Sequence, residues 1–289
     1  MPAGSPATAP DPTATSSPPS PTSERPLAAR VNGESVYVSD FKRELEQYRA
    51  SLEAQGVDLS SQEGQQKLAD ASRWILDLMI EQKLIEEAAE QAGVEVTADM
   101  VDEYMHAVAA ESGGEQAFRA KLEAWGETYD DARREVRAQL VGMSMTERIV
   151  AGVPESAEQV HARHILVDTA AEAERIRVQV EAGADFVALA KAHSQDRSTR
   201  ENGGDLGYFP RGILLASEVE EVAFSLQPGQ FSEVITSAMG YHVVQVVERD
   251  PDRSIGLEDL QLLRERAVQE WVDGLWAQAE VDRIVDLAP

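Results

Sequence analysis

The sequence predicts an α+β protein: short strands mixed with short helices, set between mostly α-helical stretches. Three observations carry this. Apolar residues recur three or four apart over long stretches before residue 154 and after residue 256, the spacing of amphipathic helices. Short alternating apolar runs, the spacing of strands, are concentrated between Val160 and Arg249. Glycine- and proline-rich turns separate those runs from short helical pieces within the same stretch.

Taken in order, residues 1–27 are a Pro/Ser/Thr-rich tail holding eight of the 13 prolines, a composition that forms no core and stays extended. It reads either as a simple disordered end or as a spacer holding a folded body off a membrane or wall. From Ala28, ARVNGESVYVSDF is a hairpin turning at Asn32-Gly33 and running into a helix capped by Ser39 or Asp40 and reaching about Ala54. A longer helix is expected near 63–92, where Leu68, Trp74, Ile75, Leu78, Met79, Leu84 and Ile85 keep helical spacing and Gly93 stops it. Shorter helices follow near 97–111, 114–125 and 128–151, closed by Gly152 and Pro154. After Pro251 a last helix, about Leu257 to Glu280, aligns Leu260, Leu263, Ala267, Trp271, Leu275 and Ala279 on one face, and VDRIV reads as a terminal strand.

The chain has 289 residues, enough for two modest domains, with a net charge of −26 from 52 acidic and 26 basic side chains. Such a surface repels phosphate backbones, so nucleic acid is not an expected partner. No apolar run approaches bilayer length. The lack of cysteine excludes disulfides, thiolate catalysis and cysteine-ligated zinc. Four of the five histidines, His161, His164, His193 and His242, fall between residues 160 and 249, so imidazole chemistry is concentrated there.

That stretch reads VHARHILV, then a helix opened by Thr169 with Glu172 as a capping box, then a helix opened by Asp185. HSQDRSTRENGGDLGYF follows, then a helix over VEEVAFSL with Ser217 and Glu220 as a second capping box, and finally SAMGYHVVQVVER. These pieces, in this order, resemble a parvulin-type peptidyl-prolyl cis-trans isomerase. The hairpin and helices of 28–153 resemble, through looser motifs, the N-terminal domain of SurA/PrsA-like chaperones, in which the C-terminal helix packs back on that domain. The resemblance thus implies a small antiparallel sheet with surrounding helices, inserted in a mostly α-helical chaperone domain: a tail at 1–27, a helical chaperone domain at 28–153, an isomerase domain at 154–251, and a returning helix and strand at 252–289.

The resemblance also implies a site. His164 and His242 match the family's paired histidines, Asp196 the position held there by cysteine or aspartate, and Ser237 the place of a threonine; these four are the expected catalytic residues. Leu206, Phe209, Leu214, Val219 and Met239 are expected to bind substrate around the proline ring. Two departures stand out. RGILLASEVEEVAF is one residue longer than the family's corresponding segment, with Val219 where a phenylalanine is common, which widens the pocket. The loop after HILV is Asp168-Thr169 with no nearby lysine, so no preference for phosphorylated peptides is expected.

No cofactor or metal is expected. His161 and His164, three apart on a strand, point to opposite faces, and Gly203-Gly204 is followed by Asp205 rather than the Lys-Ser/Thr of a phosphate loop. Five of the seven methionines lie between Met79 and Met145, which suits either an adaptable groove or an ordinary helical core. The expected protein is an extracytoplasmic foldase isomerising X-Pro bonds of unfolded or newly exported polypeptides. Neither a signal peptide nor a lipidation cysteine stands in the sequence, so a membrane link is expected only through an anchor lost with a removed segment. The rival expectation is a holdase whose isomerase-like unit only binds peptides.

Overall fold

The computed structural model describes residues 25–285. Apart from its last three residues, the tail expected at 1–27 lies outside the described residues. The chain divides into two compact units, residues 1–83 with 279–289, and residues 84–278.

In the first unit, β1 (Leu27–Val31) and β2 (Glu34–Tyr37) form an antiparallel hairpin with Val31 opposite Glu34. Asn32 and Gly33 both take positive φ, 49° and 91°, the two-residue turn whose twist matches paired strands. The terminal strand β7 (Val281–Arg283) pairs antiparallel with the other edge of β1, giving the order β2-β1-β7. α1 (Val38–Ala54) follows the hairpin, and α2 (Gln62–Gln91) begins in this unit and ends in the second. Neither Ser39 nor Asp40 caps α1. Tyr37 holds the cap position in extended backbone without a side-chain bond. The Ser39 hydroxyl instead accepts from the Arg25 guanidinium at 3.0 Å, and Asp40 sits in the first turn, where its charge suits the helix dipole.

The second unit opens with α3 (Ala98–Glu111), α4 (Glu115–Trp125) and α5 (Tyr129–Ala151). Threonines start two of them: Thr97 Oγ1 accepts from Met100 N, and Thr128 with Asp131 forms a complete reciprocal cap. Val101, Met105, Phe118, Leu122 and Val136 make their shared core. α9 (Leu257–Gln278) contributes Trp271 to a cluster with Ala89, Val141 and Met145. Of the expected methionine cluster, Met105 and Met145 are core residues, whereas Met100 and Met143 are exposed.

The rest of this unit is a four-stranded antiparallel sheet in the order β4-β3-β6-β5. Its strands are β3 (Ser156–Val167), β4 (Asp205–Pro210), β5 (Ile235–Ser237) and β6 (Gly240–Ser254). α6 (Ala170–Glu181), α7 (Phe186–His193) and α8 (Ser217–Ser225) lie along the chain between them. Strand alternation sorts the two faces. Ile165, Val167 and Val243 pack with Ala173, Ile176, Val180 and Phe186 of α6 and α7. Val160, Ala162, Val244 and Val246 pack on the opposite face with Val219, Ala223 and Phe224 of α8. By the same parity His164 and His242 belong to the α8 face. No described helix is long and apolar enough to cross a membrane.

Two of the expected caps differ. Thr169 Oγ1 accepts from Glu172 N at 3.3 Å, one half of a capping box. Ser217 does not cap α8 at all: Ala216 takes that position without a side-chain bond, and Glu220 reaches elsewhere.

Candidate active site

The histidines meet because of strand register. Leu166 pairs with His242 and His164 with Val244 across β3 and β6, which makes the two histidines diagonal neighbours on one face. Their rings stack with centroids 5.6 Å apart and planes at 22°, and the two Nδ1 atoms are 3.4 Å apart. His242 is fully buried and His164 is 5% exposed, so no ring nitrogen can be left to bulk water.

Asp196 is brought in by the segment that leaves α7. Gln195 N donates to the Leu166 carbonyl at 2.7 Å, and Ser194 Oγ accepts from Leu166 N and Asp196 N, each at 3.3 Å. The segment is thereby laced along β3 next to His164. The glycine pair closes the loop: His164 N donates to Gly204 O at 2.8 Å, and Gly204 has φ of 77°. A Cβ at Gly204 would lie 2.0 Å from the His164 carbonyl oxygen, so only glycine lets the loop approach this closely. Gly204→Ala is expected to cost about 1–3 kcal/mol in strain alone and to push His164 away from Asp196. Thermal unfolding and the histidine ring NMR signals read this; unchanged ring signals would refute it.

The hydrogen bonds fix the protons. Asp196 accepts from Ser198 N (3.0 Å) and Ser198 Oγ (2.6 Å) on one oxygen, and from Thr199 Oγ1 (2.5 Å) and His164 Nε2 (2.7 Å) on the other. Burial works against its ionisation, but these donors outweigh burial and hold the carboxyl well below the usual carboxylate range. An ionised carboxylate only accepts, so His164 carries a proton on Nε2; as a neutral ring its Nδ1 is then a bare acceptor. Against that neutral ring His242 donates from Nδ1, which leaves its Nε2 to accept from Ser237 Oγ at 2.7 Å. Ser237 Oγ in turn accepts from Met239 N at 3.1 Å. Burial, then the neighbouring His164, push His242 down to about 4, so it is neutral at pH 7. The result is one directed chain: Ser237, His242, His164, Asp196.

Beside this chain lies the apolar cluster of the α8 face. Phe209 and Val219 are each 2% exposed within it, and Phe209 meets Phe224 edge-on at 6.0 Å. Leu206 and Leu214 are only partly buried against the same cluster, so part of their apolar surface stays open. Met239 is 50% exposed on the turn between β5 and β6. Sequence reasoning missed Thr199 and Ser198, though Asp-Arg-Ser-Thr is the pattern of an aspartate accepting from residues two and three ahead. It also misplaced Glu220, whose carboxylate holds the backbone of residues 212–214. His161 stands on the other face, 2.7 Å from Asp205, where the alternation of β3 sends it.

The PPIC-type PPIASE (rotamase) domain family matches residues 151–248, and the SurA-like N-terminal domain family matches residues 16–123. Foldase protein PrsA of Caldanaerobacter subterraneus is 31% identical over 238 residues, covering 76% of this chain and 72% of that protein. Foldase protein PrsA of Halalkalibacterium halodurans is 29% identical over 265 residues, covering 82% of this chain and 78% of that protein. The crystal structure of the PrsA peptidylprolyl isomerase from Bacillus anthracis shares 27% identity, covers 70% of this chain and 94% of its own, and superposes with a TM-score of 0.46. The chain belongs to the PrsA foldase family, as a peptidyl-prolyl cis-trans isomerase and chaperone of polypeptide chains.

Proposed function

We propose that the directed chain of Ser237, His242, His164 and Asp196 is the catalytic machinery, and that Leu206, Phe209, Leu214, Val219 and Met239 receive the proline of the substrate. The observation that carries this is the placement of a fully hydrogen-bonded, buried charge relay against a partly open apolar cluster. Rotation about X-Pro faces a barrier of about 18–20 kcal/mol because amide resonance must be lost. The planar amide concentrates negative charge on its carbonyl oxygen, and the twisted state gives much of that up. The partly desolvated negative charge of Asp196, 19% exposed as a side chain, disfavours the planar form. Thr199 and Ser198 keep that charge in place by saturating its remaining lone pairs. The ring pair supplies a rigid wall whose protons do not move: no bond to the substrate is broken, so the relay orients rather than transfers. An apolar seat for the proline ring excludes water and strengthens these interactions.

The substrates on this reading are proline-containing, unfolded or newly exported polypeptides outside the cytoplasm, without phosphate. The reading takes residues 28–153 as the client-holding domain, 154–251 as the isomerase domain and 252–289 as a returning segment, with 1–27 as a tail. An unphosphorylated X-Pro tetrapeptide is expected to isomerise faster with the protein present. The same peptide with phosphoserine before proline is expected to be no better a substrate, because the chain places Asp168 after the HILV strand. The combined change His164→Ala and His242→Ala should abolish the acceleration; full activity in a folded double variant would overturn the assignment.

A further inference from the structure

We infer that Glu220 of α8 and Arg266 of α9 are positioning residues that set the wall of the proline pocket, so that α9 forms part of the isomerase's substrate site although it follows the matched isomerase domain. This rests on the reading of the pocket given under Proposed function.

The wall in question is the segment 211–216, which carries Leu214. Its backbone amides have no strand or helix to bond to. Three of them, at 212–214, are satisfied by one side chain: Glu220 Oε1 accepts from Gly212 N at 2.8 Å, and Oε2 accepts from Ile213 N and Leu214 N at 3.0 Å each. Three N–H groups on one carboxylate need both oxygens and the full charge. From the other side, Arg266 Nη1 donates to the Gly212 carbonyl. Leu263, one turn earlier on α9, is so near that a Cβ on Gly212 would stand 3.0 Å from its Cδ2. The Arg211 guanidinium lies 4.1 Å over the ring of Phe224, itself against Phe209.

The segment is therefore gripped at every residue from 211 to 214, and Leu214 is delivered half-buried onto the cluster around Phe209. The next residue, Leu215, is 88% exposed, which marks where the grip ends. α9 is also held further along, where Trp271 packs with Ala89, Val141 and Met145. One rigid helix thus joins the pocket wall to the helical part of the same unit.

Neither residue touches the relay of histidines and aspartate, so their effect is on substrate binding rather than on the rate of the bound complex. In the full chain, Arg266→Ala is expected to raise KM for the X-Pro tetrapeptide about three- to tenfold, with kcat within about twofold. Arg266→Lys, which still donates to the Gly212 carbonyl, should recover most of the affinity. Glu220→Gln, left with one accepting oxygen and an NH2 facing amide donors, should give the same split and faster hydrogen exchange at Ile213 and Leu214. Unchanged KM in both variants, with a wild-type protein that turns the peptide over, overturns the inference alone. Peptide affinity followed by amide NMR shifts at residues 212–214 gives a reading without turnover. If wild type binds but does not isomerise, weakened binding in Arg266→Ala sustains the wall and overturns the catalytic reading. If wild type neither binds nor isomerises, both fall.

Discussion

Replacing Asp196 with alanine is expected to lower kcat/KM for an X-Pro tetrapeptide about a hundredfold, the loss typical of removing one preorganised charge from a reacting site. The reason lies in what converges there. Four donors end on this carboxylate, and as the ionised partner at 2.7 Å it holds the His164 proton on Nε2, with the Thr199 hydroxyl 3.2 Å from the same nitrogen. Without it the imidazole can adopt the other tautomer, and the directed chain to His242 and Ser237 loses its polarity. Asp196→Asn separates charge from hydrogen bonding: the amide oxygen still accepts from one group, but the negative charge is gone. If charge matters most, the asparagine variant falls nearly as far as alanine; if orientation matters most, it falls much less. Stability should drop too, by about 1–3 kcal/mol for the donors left unpaired, with water offsetting part because the side chain is 19% exposed. Wild-type rates in a folded Asp196→Ala protein would remove this residue from the mechanism.

The second large effect is on acid stability. His242 is held down to about 4 in the folded protein against 6.5 for an ordinary histidine. Between those values the unfolded chain binds the proton and the folded chain does not, so stability rises with pH through this window. The contribution of the buried neutral ring is fully present above about pH 6.5 and is lost progressively as pH falls towards 4, to a total of ~3 kcal/mol. Asp196, with its carboxyl held below its ordinary value of 3.8, adds a further loss only under more acid conditions. The melting temperature of wild type is therefore expected to fall steeply from pH 6.5 to 4, and that of His242→Gln to fall less over the same range. Parallel curves for the two proteins would show that His242 is not the titrating group. Isomerase activity should hold down to about pH 5 and decline as His242 protonates near 4, since a charged ring cannot accept from Ser237.

Much of this fold is legible in the chain because its punctuation is local. The helices expected near 97–111, 114–125 and 128–151 match α3, α4 and α5 to within a residue, since caps such as Thr97 and Thr128 and the left-handed Gly126 act through two or three neighbours. The start of α1 was less legible: Ser39 has the right chemistry for a cap, yet its hydroxyl is engaged by Arg25, fourteen residues earlier. Ser217 and Glu220 show the same limit more sharply. Their spacing fits a capping box, but the carboxylate has three unpaired backbone N–H groups to serve in the preceding loop, and that demand outweighs one helix end.

For the site, the sequence by itself determined which side chains are present and on which face of which strand His164 and His242 stand, because strand parity is a property of residue number. It also determined that Gly203-Gly204 turns the chain beside them. Only the tertiary structure decided the distances and the protons. The offset between β3 and β6 makes the histidines diagonal neighbours, the lacing of Gln195 to Leu166 sets Asp196 against His164, and Thr199 joins them through the same loop. The anchoring of the pocket wall by Arg266 links residues 54 apart in sequence. Local spacing carries no information about such pairs, since their energy depends on how separately formed elements are packed.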